Sequence, residues 1–304
     1  DTVDGGTGTD AVDFSIARGT WAGTITDAET VTATYTGSAT IDATSLTGYA
    51  TLNVTASDST ATTTLKNIGA ATINLTDDSV EGGGDGDIEA MTIDTTDDAA
   101  ITVNLGANQE ATTAVAGDLS SLTITDAATV TLKASGGGFG NLLSSDMETV
   151  TLDDEETTGL TIESSDYTSL EAVVAGSESL ATLAVDASGI ESDVEVDSLA
   201  DAVALTSLSL TASGLNSTLD LGMVGDAEGS NLAILDTISV TASNGSVIDF
   251  HTAVDAEEGD INTQGDLVSL TVSSDGEGST VEAGGVFADG DNIETVSYTA
   301  SEGG

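Results

Sequence analysis

The sequence predicts an all-β chain wound as a parallel β-helix, or β-solenoid, with Gly/Asp-rich turns, and three observations carry that reading. First, short alternating segments recur along the whole chain, as in Thr149-Val150-Thr151-Leu152, Ala71-Thr72-Ile73-Asn74-Leu75 and Ser207-Leu208-Ser209-Leu210. Alternation of apolar and polar residues with period two is the pattern of a half-buried strand. Second, an acidic opener precedes several of them: Asp27-Ala28-Glu29-Thr30-Val31, Asp87-Ile88-Glu89-Ala90-Met91, Asp146-Met147-Glu148-Thr149-Val150 and Asn292-Ile293-Glu294-Thr295-Val296. Third, two such strands fall in each stretch of twenty-odd residues, the length of a coil in a stacked solenoid. A set of β-sandwich repeats is the alternative. It is disfavoured because hairpin turns of the Asn-Gly or Asp-Gly type between expected strands occur only at Asn244-Gly245, Asp85-Gly86, Asp275-Gly276 and Asp289-Gly290.

Taken in order, residues 1–24 read as a glycine turn and cap. Trp21 is expected to pack over the end of the first coils, within an irregular connection from Phe14 to Gly23. The solenoid then occupies 25–304, with a candidate break in the glycine run 136–140. Residues Leu160 to Leu221 carry the cleanest ladder, in which Ser, Thr and Ala alternate with Leu, Val and Ile. Small residues at alternate positions let coils approach at the strand spacing of about 4.8 Å.

Charge narrows the function. The 304 residues contain 53 Asp+Glu against 3 Lys+Arg, a formal charge of -50, while 38% of residues are hydrophobic. A disordered acidic tail lacks that apolar content. Neighbouring carboxylates about 4 Å apart repel by about 1 kcal/mol in water, so such a surface calls for cations or high salt. Nucleic acid is not expected as a partner, because phosphate contacts need Lys and Arg and the chain has only Arg18, Lys66 and Lys133. Direct membrane insertion is not expected either, for want of a long apolar run. With no cysteine, any stapling must come from oxygen-coordinated cations.

The most specific motif is Asp4-Gly5-Gly6-Thr7-Gly8-Thr9-Asp10-Ala11-Val12-Asp13. It fits the nonapeptide G-G-x-G-x-D-x-U-x, with Val12 in the inward apolar position. Glycines open a tight turn and expose carbonyl oxygens, and a carboxylate adds a hard anionic ligand suited to Ca²⁺. Gly5, Gly6, Gly8, Asp10, Asp4 and Asp13 are the first candidate ligands. Acidic loops supply the others: Asp85 and Asp87, Asp153 and Asp154, Asp226 and Glu228, Asp260, and Asp275. Each is also readable as a solvated turn, the commoner fate of an acidic run. Catalysis is not expected. Paired carboxylates for glycoside cleavage need a cleft and aromatics to hold sugar, and aromatics are 3% of the chain. The only histidine, His251, has no partner set for a transition metal. Ice binding through Thr-x-Thr rows near Thr62 to Thr64 would need a flat, regular array, which coils of uneven length do not lead one to expect.

The turn Gly5-Gly6-Thr7-Gly8-Thr9-Asp10, the phrases Met147-Glu148-Thr149-Val150 and Ile293-Glu294-Thr295-Val296, and the Thr/Ala/Ser-rich strands together resemble the repeat-in-toxin (RTX) type surface-layer proteins of Gram-negative bacteria. The resemblance implies a calcium-dependent β-helical protein, exported by type I secretion and self-assembled as a lattice outside the outer membrane. By resemblance, the calcium ligands carry over to Gly5, Gly6, Gly8 and Asp10. The expected partner is therefore a further copy of the chain, in a lattice or filament, with cell-surface polysaccharide held through calcium as a second. An adhesin or a biofilm-matrix spacer rod is the alternative function.

Overall fold

A computed structural model describes residues 2–56, 62–77, 90–106, 117–135, 145–152, 156–173, 178–199, 202, 204–224, 236–250, 260–263, 268–283, 285–288 and 295–301. Every strand pairing in it is parallel, and apart from two two-stranded sheets, Thr2–Asp4 with Thr24–Thr26 and Asp260–Thr263 with Gly285–Ala288, the strands stack in two long ladders wound as one solenoid. The first sheet stacks Ala11–Ile16, Thr30–Tyr35, Thr51–Ala56, Ala71–Asp77, the end of Ala90–Gly106, the end of Leu122–Ser135, Gly159–Ser164, Thr182–Ala187, Ser207–Ala212, Thr237–Ser243, Ser269–Asp275 and Thr295–Ser301. Between them runs the second sheet: Gly19–Thr20, Ala39–Asp42, Thr62–Ile68, the starts of the two long strands, Ser145–Leu152, Thr168–Val173, Asp193–Leu199, Thr218–Val224, Val247–Phe250 and Thr280–Ala283. Twelve strands at about 4.8 Å make the first sheet about 50 Å tall.

The alternation seen in the sequence decides which side chains fill the interior. Val31, Leu52, Ile73, Val103, Leu132, Ile162, Val185, Leu210 and Val240 form one inward row, each paired with the next, and all are buried. Facing them from the second sheet, Ile41, Leu65, Ile93, Ile124 and Leu152 form another buried row. Burying each such side chain contributes about 1.5 to 3 kcal/mol relative to exposure. Coil interiors of this kind need no disulfide.

The coils bend at residues in the left-handed region. Tyr167, Glu191, Asn216 and Asn244, with φ of 57°, 52°, 58° and 60°, stand just before successive strands of the second sheet. Asn is among the few side chains that adopt this conformation readily. At one of these corners the main chains of successive coils touch: a Cβ on Gly214 would lie 1.7 Å from the Gly189 carbonyl oxygen.

Two expectations change. Phe14 to Gly23 is not an irregular connection: Ala11–Ile16 is already a full rung, in register with Thr30–Tyr35. The apolar residues of Ala11–Ile16 continue the inward rows, which is the physical reason the ladder starts there. The two separate strands expected in each coil are, at Ala90–Gly106 and Leu122–Ser135, single strands that turn the corner without breaking. Trp21 does cap this end, stacked on Phe14 with ring centroids 4.5 Å apart. The glycine run 136–140 lies outside the described residues.

Candidate metal centre

The glycine turn is docked on the coil that follows it. The Gly5 N–H donates to the Thr26 carbonyl (2.9 Å), and the Asp10 N–H donates to the Glu29 carboxylate (2.7 Å). Gly5 has to be glycine, because a Cβ there would lie 2.2 Å from the Asp27 carbonyl oxygen and 3.0 Å from Asp10 Cβ. Asp4 closes the turn by accepting from the Gly6 N–H at 3.0 Å. Gly6 and Gly8 take φ of 82° and 147°, which glycine adopts without steric cost.

Asp10 points its carboxylate into this turn. Its Oδ2 is buried and has no hydrogen-bond partner, and the nearest atom to a Cβ built on Gly8 would be that same oxygen, at 3.6 Å. A buried, unsatisfied carboxylate oxygen is costly, and a hard cation with further oxygen ligands would offset that cost. The donor set here is all oxygen and therefore fits Ca²⁺. Among the described residues no three Asp, Glu, His or Cys side chains converge on one metal position, so main-chain carbonyls would have to complete the shell. The Asp10 N–H holds the Glu29 carboxyl below the usual carboxylate range, which keeps Glu29 ionised beside the turn. Glu29 was not among the residues singled out as ligands. Its signal in the sequence was its distance from Asp10, 19 residues, one coil.

The other candidates do not gather at this turn. Asp13 faces outward on the first rung, beside Thr32. Asp275 is exposed at the end of Ser269–Asp275 and accepts a hydrogen bond from the Ser301 hydroxyl. Asp260 begins a short strand paired with Gly285–Ala288. Asp85, Asp87, Asp153, Asp154, Asp226 and Glu228 lie outside the described residues.

The structure adds acidic sites that the sequence did not mark. On the outer face of the second sheet Glu171, Glu195, Asp220, Asp249 and Glu282 stand directly above one another on five successive rungs. On the first sheet Lys133, Glu163 and Asp186 form a similar row. Lys133 Nζ lies 2.6 Å from Glu163 Oε2. Burial, and then the neighbouring Glu163 charge, push the Asp186 carboxyl up. These three line an open groove of about 420 Å³ with Asn104 and Ser188.

No protein-family model, no curated protein and no solved structure matches the chain.

Proposed function

We propose that this chain is a structural extracellular protein, a calcium-dependent solenoid that self-assembles into a surface layer on the bacterial cell. The reading is carried by the in-register ladder Glu171, Glu195, Asp220, Asp249 and Glu282. Like charges directly opposite one another on neighbouring strands destabilise a sheet, and at about 4.8 Å each pair costs about 1 kcal/mol even in water. A divalent cation between neighbours turns that repulsion into a cross-link. The same logic applies between molecules. With a formal charge of -50, two copies repel until cations neutralise the facing surfaces, which makes assembly responsive to calcium. The turn around Asp10 supports the same reading, since its glycines and orphaned carboxylate oxygen suit a calcium ligand set.

Electron microscopy of the purified chain in millimolar calcium, repeated after chelation, tests this. Sheets, tubes or fibres that vanish on chelation are expected. Isolated rods under both conditions would overturn self-assembly and favour a spacer rod of the adhesin or biofilm-matrix type.

A further inference from the structure

On the outer face of the first sheet, Asn104, Lys133, Glu163 and Asp186 are paired in turn on four successive rungs. They continue the row that begins Asp13, Thr32, Asn53 and Asn74. Lys133 therefore has a carboxamide on the preceding rung and a carboxylate on the following one. Its Nζ lies 2.6 Å from Glu163 Oε2, and the two side chains are 43% and 45% exposed. Asn104, Lys133 and Glu163 border the same groove.

The asparagines of this row bond in series. Asn74 Nδ2 donates to Asn53 Oδ1 (2.8 Å), and Asn104 Nδ2 donates to Asn74 Oδ1 (2.7 Å). The series stops at Lys133. Asn104 Oδ1 is buried and has no hydrogen-bond partner, a costly state for an acceptor, while the ammonium on the next rung is taken by Glu163. The bond to Asn74 meanwhile holds the Asn104 amide in place beside Lys133.

An amine, a carboxamide and a proton carrier are the groups that an amide link between side chains requires. An amine that adds to a carboxamide can expel ammonia, whereas an ionised carboxylate gives it only an ion pair, because that carbon is not electrophilic. The other lysine shows the contrast. Lys66 stands opposite Asp42, whose carboxyl is held below the usual range by hydrogen bonds from Thr44 and Asn67 and so stays ionised. Of the two lysines, Lys133 is the one paired across rungs with a carboxamide.

We propose that Lys133 and Asn104 join through a spontaneous isopeptide bond between Nζ and Cγ, with Glu163 carrying the proton. Glu163 Oε2 takes a proton from the Lys133 ammonium, and the neutral amine adds to Asn104 Cγ. Glu163 then gives that proton to Nδ2 and the bond between Cγ and Nδ2 breaks. The second Nζ proton leaves with the ammonia, so one ammonium ion is released and Glu163 ends ionised. Neighbouring rungs hold amine and amide together, which replaces a bimolecular encounter by an intramolecular one. The product is a covalent staple between two coils in a chain without cysteine. Closing the chain between them into a ring restricts the unfolded state. The staple goes beyond the calcium-dependent scaffold, since it needs neither a cation nor a second copy.

Mass spectrometry of the intact, folded chain tests this independently of assembly. Held at neutral pH, the wild type should weigh one ammonia less than its sequence. Digestion at acidic residues should give the peptides containing Asn104 and Lys133 as one joined species. Lys133→Arg keeps the positive charge without the amine, and Glu163→Gln keeps the size without the proton acceptor; both should show the full mass of their own sequences. A wild type at full sequence mass would overturn the proposal. So would an ammonia loss without the joined peptide, the mark of an asparagine closing on its own main chain. If a variant fails to fold, the wild type still decides: the joined peptide supports the bond, and its absence overturns it.

Discussion

The main-chain N–H of Asp10 donates to the carboxylate of Glu29 across 2.7 Å, joining the glycine turn to the coil that follows it. This bond holds the Glu29 carboxyl below its usual range. A depressed folded-state value contributes stability above the ordinary carboxylate pKa, about 4.3, and that contribution is lost as pH falls through the folded value. Glu29→Ala should speed hydrogen exchange at the Asp10 amide at neutral pH. Glu29→Gln, which keeps an acceptor but does not titrate, should retain most of the protection and lose its acid sensitivity. Equal protection of that amide in wild type and Glu29→Ala would show that the bond does not hold the turn.

Gly214→Ala should destabilise the chain by about 3 kcal/mol or more, at the upper end of overpacking costs. The added Cβ would sit 1.7 Å from the Gly189 carbonyl oxygen, and a Cβ on Gly189 would sit 2.1 Å from Asp166 N. Both contacts are with main chain, which cannot rotate away. Urea unfolding of Gly214→Ala reads this directly, and a midpoint equal to wild type would mean that successive corners are not in contact.

The rungs were legible because burial imposes period two. Thr30–Tyr35, for example, has the bounds that its alternation marks. What the sequence hid was register. Glu171, Glu195, Asp220, Asp249 and Glu282 are separated by unequal lengths of chain, so no fixed period brings them together; only the pairing of the intervening strands does. The same holds for Lys133, Glu163 and Asp186. The glycine turn was legible as a motif because its residues are local, whereas Glu29 reaches it only through the stacking of coils.

Glu195 stands between Glu171 and Asp220. At low salt without divalent cations, Glu195→Gln should stabilise the chain by about 1 kcal/mol by removing like-charge contacts. In millimolar calcium that gain should disappear or reverse, since a bridging carboxylate is lost. Thermal melts of both proteins in the two buffers measure the difference. A gain of the same size in both would mean that calcium does not act at this row.

Asp186 titrates in the opposite sense to Glu29. Burial and the Glu163 charge raise its carboxyl, so the folded chain loses stability as pH rises from the ordinary aspartate value, about 3.9, through the raised one. Asp186→Asn should therefore stabilise at neutral pH, by a few tenths of a kcal/mol once solvent screening is allowed for. The gain should vanish at a pH below both values. A destabilised Asp186→Asn at pH 7 would mean that the carboxylate is held by a favourable contact that outweighs its burial.

In the proposed scaffold divalent cations hold acidic rungs together, and thermal unfolding followed by strand circular dichroism measures that most directly. The chain would be melted in millimolar calcium chloride and in sodium chloride of equal ionic strength. A melting temperature that climbs with calcium concentration at constant ionic strength is the predicted result, because binding to the folded state alone stabilises by mass action. Identical melting temperatures in the two salts would contradict the account and leave general charge screening as the only role for cations.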